Sequence, residues 1–243
     1  GLGDVYKRQV IERFGLDKPL WEQYLLYLKN LLRGDWGYSF SHFNEPVLQT
    51  IFEYRFRNTV ILMGTSLVIS IIIGMTIGVL AASKRDSLFD RFSTVSFLVT
   101  YSMFIAWIGL IILFFLGFKL DLIPLAGTIT RGKQHTGFLD YALDYLWHMI
   151  GPTIALVLSF IGSFYLIMRD TVLDVFTEDF MEAARAKGLS NRTILFRHAM
   201  RNAMLPMISF IAMNMTYLIS GATITETVFS WSGLGLLTYD SVL

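Results

Sequence analysis

The chain has 243 residues, of which 54% are hydrophobic and only 16% charged, with a formal net charge of +1 and no cysteine. Together with a mean hydropathy of +0.54, this composition excludes an ordinary soluble globule. The near-neutral balance gives no field for nucleic acid, and the absence of thiols excludes disulfides, thiolate metal sites and cysteine nucleophiles.

The N-terminal part shows neither an initiating Met nor the order of a signal peptide, so the chain reads as a piece that begins inside a longer protein. Between Pro19 and Leu32, Trp21, Tyr24, Leu25, Leu28, Leu31 and Leu32 recur at helical spacing among Glu22, Gln23, Lys29 and Asn30. That pattern predicts a helix lying along a membrane surface, too short and too charged to cross it.

Four runs carry no Asp, Glu, Lys or Arg: 58–83, 92–118, 145–168 and 202–225. Crossing about 30 Å of hydrocarbon takes ~20 apolar residues in a helix, so each run predicts a span. The intervening segments then alternate sides. One side, 84–91 and 169–201, holds nine Lys and Arg in 41 residues, against eleven in 101 on the other, and the positive excess predicts that it is cytoplasmic. Within the first span Ser70, Gly74 and Gly78 repeat every fourth residue, the spacing that lets a neighbouring helix approach closely. Asn214, Thr216 and Tyr217 are polar groups at membrane depth, which must bond across helices or line a pathway.

Catalytic patterns are scarce. Gly127 to Lys133 follows most of a phosphate-binding loop, but Gln134 stands where a magnesium-binding hydroxyl belongs and no strand-then-helix context surrounds it. His42, His135, His148 and His198 lie far apart, without the four-residue spacing of a helical zinc pair. No nucleophile elbow and no carboxylate pair within a span is present, so the sequence predicts no metal, no cofactor and no enzyme.

The basic segment after the third span carries the most information. Thr177 is a candidate cap for a first short helix, with Glu178 and Asp179 at its positive end, Arg185 and Lys187 at its negative end, and Gly188 as a left-handed stop. Ser190 is a candidate cap for a second helix through Ile194, Leu195 and His198. So short a helix is not stable alone, and Phe180, Met181, Ala183 and Ala184 form an apolar patch. Either a partner covers that patch or the chain's own helix ends do.

Glu182-Ala183-Ala184, then Gly188, His198 and Leu205-Pro206, resembles the cytoplasmic loop of permease subunits in binding-protein-dependent ABC importers. Glu12 to Pro19, Gln23-Tyr24, Arg33 to Ser39 and Gly233 to Leu237 resemble the oligopeptide and dipeptide branch of that family. The resemblance implies an all-α polytopic transmembrane bundle with the type I (MetI-like) permease fold, four of an expected six spans being present. It implies an external segment over 1–57 and a permease domain over 58–243, with a coupling loop at 169–201. In that loop Phe180, Glu182, Ala183, Ala184, Arg185, Lys187, Gly188, His198 and Pro206 would meet the ATPase. It further implies two ATPase subunits that bind the ATP, a second permease, an external substrate-binding protein, a peptide substrate and a prokaryotic inner membrane. The rival reading is a secondary transporter or channel, which would need ionisable groups within its spans.

Overall fold

The computed structural model describes residues 18–39, 45–190, 193–216, 218 and 221–242, apart from the side chains of Ala183, Ala184, Arg185 and His198. The described residues are mostly helical, with a single isolated bridge between Tyr38 and Pro46. Two compact units divide at Glu53 and Tyr54.

In the first unit, α1 (Leu20–Leu32) begins after Pro19 and buries none of its residues. Its Trp21, Tyr24, Leu25 and Tyr27 are all exposed. A helix of this length with exposed aromatic residues and none fully buried gains little from packing among the described residues.

The second unit is built on α2 (Arg57–Ser83) and α5 (Phe138–Val175). The two run parallel, since Asn58 pairs with Tyr145 at one end and Gly78 meets Met168 and Arg169 at the other. A Cβ on Gly74 would lie 2.8 Å from the Phe164 Cβ, and one on Gly78 would lie 2.8 Å from the Tyr165 carbonyl. The small-residue stripe is therefore a packing seam, and it lets two backbones meet where larger side chains would hold them apart. At about 1.5 Å per residue α5 is roughly 57 Å long, well beyond the hydrocarbon thickness.

Because α2 and α5 are parallel, the chain between them must return. It does so through α3 (Leu88–Ser102) and α4 (Ile105–Ile112), α4 continuing as a π-helical turn over Leu113–Lys119. Met103 and Phe104 are extended between them, with ψ of 136° and 128°, and the two helices meet at 100°. The run 92–118 is thus carried by a bent pair of helices. Neither Pro nor Gly marks the break; what surrounds it is tertiary, with Gly162 of α5 admitting the Phe97 carbonyl and the Tyr101 Cβ of α3.

After α5 come α6 (Asp179–Ala186) and a π-helical turn over Ile194–Ala199 that leads into α7 (Met200–Met215). The last described elements are α8 (Thr223–Val228) and α9 (Leu234–Val242). Over the run 202–225, α7 extends to Met215, and Gly221 takes a φ of +80°, within 2.9 Å of the Gly235 amide for any added Cβ. Among the described residues two helical stretches, Val47–Ser83 and Phe138–Val175, are long and apolar enough to cross a membrane, or three if the bent pair counts as one. The all-α membrane bundle stands.

Replacing Gly78 by Ala should lower the unfolding temperature of the detergent-solubilised protein, at a cost of about 1–3 kcal/mol for overpacking. Gly64, on the same helix with nothing within 4 Å of an added Cβ, is the control whose Ala variant should show no loss.

Candidate functional site

The basic end of the bundle is where α5 outlasts its apolar stretch. The charge-free run ends at Met168, yet α5 continues to Val175. The helix continues because Val172 and Val175 are buried with Met168 in the largest apolar cluster, and because the charge of Arg169 is met within the bundle. The Thr177 hydroxyl donates to the Asp174 carbonyl at 2.6 Å, so Thr177 closes α5 rather than capping α6. The link ahead of α6 is thus shorter than the loop expected from residue 169 onward.

On α6 the apolar patch is divided. Met181 is fully buried in the cluster that holds Val175, Ile194 and Leu195, whereas Phe180 is 41% exposed. Glu182 and Lys187 lie on the surface. Cover by the chain's own helices holds for Met181, while Phe180 is left outside. Gly188 has a φ of +73° with nothing within 4 Å of an added Cβ, so its requirement is conformational and not steric.

Ser190 caps the next helical segment, as expected, accepting from the Thr193 amide at 3.3 Å. That segment packs its Ile194, Leu195 and Ala199 inward while Phe196 stays half exposed. Pro206 is not in a loop but inside α7, on its exposed face. The side chains of Ala183, Ala184, Arg185 and His198, and residue Tyr217 as a whole, lie outside the described residues. Asn214 is buried and donates to the Phe210 carbonyl at 2.8 Å, while the exposed Thr216 donates to the Met213 carbonyl at 2.7 Å.

Beside this loop stands a cluster that no sequence pattern announces. Arg169 on α5 grips Asp90 on α3 with both arms of its guanidinium, Nε to Oδ1 at 2.6 Å and a terminal nitrogen to Oδ2 at 2.9 Å. Asp90 is almost wholly buried, and the bonds from Arg169 hold its carboxyl below the usual carboxylate range against the opposing effect of burial. One turn earlier on α5 the Tyr165 hydroxyl lies 3.0 Å from Ser93 Oγ and 2.8 Å from Thr94 Oγ1. A charge just outside an apolar run is legible as a boundary; its partner, 79 residues away, is not.

Residues 74–243 match the family model described as "Binding-protein-dependent transport system inner membrane component". The chain belongs to this family. It is 34% identical over 258 residues to the dipeptide transport system permease protein DppB of Escherichia coli K12, covering all of this chain and 76% of that protein. It is 32% identical to the oligopeptide transport system permease protein AppB of Bacillus subtilis, covering 97% and 72% respectively. Identity to the di/tripeptide permease DppB of Pseudomonas aeruginosa is 35%, over 96% of this chain and 73% of that one. This inner membrane component is thus a multi-pass transport protein whose family works with a binding protein.

At its opposite end the permease is held by two further buried carboxylates. Glu226, with no exposed surface, accepts from Thr59 Oγ1 at 2.8 Å and from the Leu236 amide at 3.0 Å, and the Gly233 backbone sits directly against it. Trp231 fills the same region, edge-on to Tyr145, with its indole N–H on the Asn58 carbonyl at 3.3 Å. The phosphate-loop lookalike is an irregular turn here: the Gly127 amide donates to the Phe229 carbonyl and Lys133 pairs with Asp140. Thr130 in that turn gives Asp144 two bonds, from its amide at 2.7 Å and its hydroxyl at 2.6 Å, and His135 Nε2 adds a third contact at 3.0 Å.

Burial alone would push the Asp144 carboxyl up, but the Thr130 and His135 bonds outweigh it and hold the group well below the carboxylate range. A depressed folded-state pKa stabilises above the unfolded value, about 3.9, and the contribution is lost only as pH falls through the folded one. Hydrogen exchange of the Thr130 region should therefore stay protected from neutral pH to about 4. Asp144→Asn should lose that protection at neutral pH; equal exchange in both proteins would refute the anchoring role.

Proposed function

We propose that this permease imports peptides as the membrane-spanning subunit of an ATP-driven importer, with α6 as the helix that docks on a separate ATPase. What carries the reading is the division of α6, with Met181 locked into the bundle and Phe180 standing out, and with Leu189 and Phe196 after it also exposed. A load applied at Phe180 would pass through Met181 into the cluster shared by α2, α5 and α7. Peptide cargo is supported by the names of the relatives, which are dipeptide, oligopeptide and di/tripeptide permeases.

On this reading two ATPase subunits bind the nucleotide, a second permease completes the pair and a binding protein delivers substrate at the opposite face. The basic end faces the cytoplasm, in accord with the positive excess. The chain itself performs no chemistry and holds no cofactor; alternating access follows from ATP-driven closure of the ATPase pair. Glu182 and Lys187 would frame the ATPase contact from the α6 surface, joined by Arg185, His198 and the small Ala183 and Ala184. Asn214, Thr216 and Tyr217 are assigned to the pathway on their polarity at membrane depth alone. Pro206 sits in α7, where we assign it to the motion of that helix rather than to direct docking.

The test is co-purification and uptake with the full-length protein and its partner subunits. Phe180→Ala should release the ATPase and cut uptake about tenfold while the permease remains in the membrane, since a central aromatic contact contributes about 1.4 kcal/mol or more. Gly188→Val forces a β-branched residue into the left-handed region at ~1–2 kcal/mol. Membrane insertion should survive that change and uptake should not. Wild-type uptake in both variants would sink the coupling role.

A further inference from the structure

The contact between α3 and α5 is more rigid than a helix crossing requires. Less than two turns from the end of α5, at about 3.6 residues per turn, the Arg169 fork fixes both distance and direction to Asp90. Asp90 in turn organises the start of α3. Its own amide is capped by Ser87, and its Oδ2 accepts from the amide of Asp86, a residue held at a φ of +64°. Tyr165 adds the hydroxyl contacts to Ser93 and Thr94, and its ring packs on Phe97 with centroids 4.6 Å apart. Four residues of α3 on successive turns are thus tied to two residues of α5, and α3 then ends at the break before Phe104.

We propose that Arg169, Asp90 and Tyr165 form a transmission joint. They pass the displacement of α6, carried on the end of α5, to α3 and so to the 100° break at Met103 and Phe104. The inference rests on the reading of α6 as the ATPase-docking helix. These are positioning residues: none contacts the ATPase or the cargo. A fork transmits rotation as well as translation, because two parallel N–H bonds leave no axis about which α3 can swivel freely, whereas a single ammonium contact does. The Ser93 hydroxyl also donates to the Phe89 carbonyl of its own helix, so loss of the Tyr165 hydroxyl leaves that group satisfied and loosens only the joint.

The experiment uses the full-length permease assembled with its ATPase and binding protein in proteoliposomes, and reads ATP hydrolysed per peptide imported. Arg169→Lys keeps the charge and loses the fork; Tyr165→Phe keeps the ring and loses the hydroxyl. Both should assemble and hydrolyse ATP, with the ratio raised about fivefold in Arg169→Lys and less in Tyr165→Phe, the low end of typical coupling effects. A wild-type ratio in both variants overturns the proposal. So does a fall of hydrolysis and uptake in step with the amount of assembled complex, or assembly failing in both, since a merely structural clamp behaves that way. Failure of the underlying reading is separate: it appears as an ATPase that does not co-purify with the wild-type permease, or as unimpaired uptake in Gly188→Val, whatever Arg169→Lys does.

Discussion

The close approach of α2 and α5 at Gly74 and Gly78 is the constraint on which the rest of the bundle depends. With no side chain on either glycine, the α2 backbone lies directly against Phe164, Tyr165 and Met168 of α5. In lipid there is no hydrophobic drive between helices, and such backbone proximity is the main source of attraction. Two parallel helices in contact oblige the chain to come back between them, and α3 fills that return. Its position beside α5 then brings Asp90 within reach of Arg169 and Ser93 and Thr94 within reach of Tyr165. The ionic joint and the glycine seam share the same turns of α5, since Gly78 meets Tyr165, Met168 and Arg169 there.

Much of the basic end is legible in sequence because its signals are local. Gly188 needs a left-handed conformation and has one; Ser190 caps the helical segment that begins after it; the run at 58–83 coincides almost residue for residue with α2. The failures are tertiary. The break at Met103 lies in a sequence of ordinary apolar and hydroxyl residues, and it is made visible only by the α5 surface at Gly162. Thr177 has the right chemistry for a cap, and uses it on the helix behind it. Arg169 reads in sequence as the edge of a span, although a guanidinium paired with a buried carboxylate no longer ends anything. Hydropathy counts charges and cannot see which of them are neutralised across 79 residues.

The two ends of the bundle solve the burial of polar groups differently. At the basic end a charged pair is joined by a fork, and Arg169 keeps a fifth of its side chain accessible, so part of its solvation survives. At the other end Glu226 is completely enclosed and is held by the Thr59 hydroxyl and the Leu236 and Ala222 amides. Gly233 and Gly235 permit this, since any Cβ at either position would overlap Glu226 or Thr223. The glycines near the C-terminal part of the chain, which in sequence only signal a family likeness, have a local reason to be glycine.

This asymmetry bears on how such a bundle can move as parts rather than melt. Around Glu226, the Thr59 hydroxyl and the Leu236 and Ala222 amides converge on one carboxylate, so the segments they join must move together or lose several bonds at once. Gly109 of α4 packs on Val228 and Phe229, and Phe229 in turn fits against Gly151 of α5, which extends that enclosed block to α4. At the basic end the hydrogen bonds described between side chains of different helices run from Arg169 and Tyr165 of α5 to α3. Between the two anchored regions lies the extended pair Met103 and Phe104, where no helical hydrogen-bond ladder resists a change of angle. Rotation about a few backbone dihedrals there would let α3 change its angle to α4 while each helix keeps its own hydrogen bonds, and that is the low-cost motion a hinge provides.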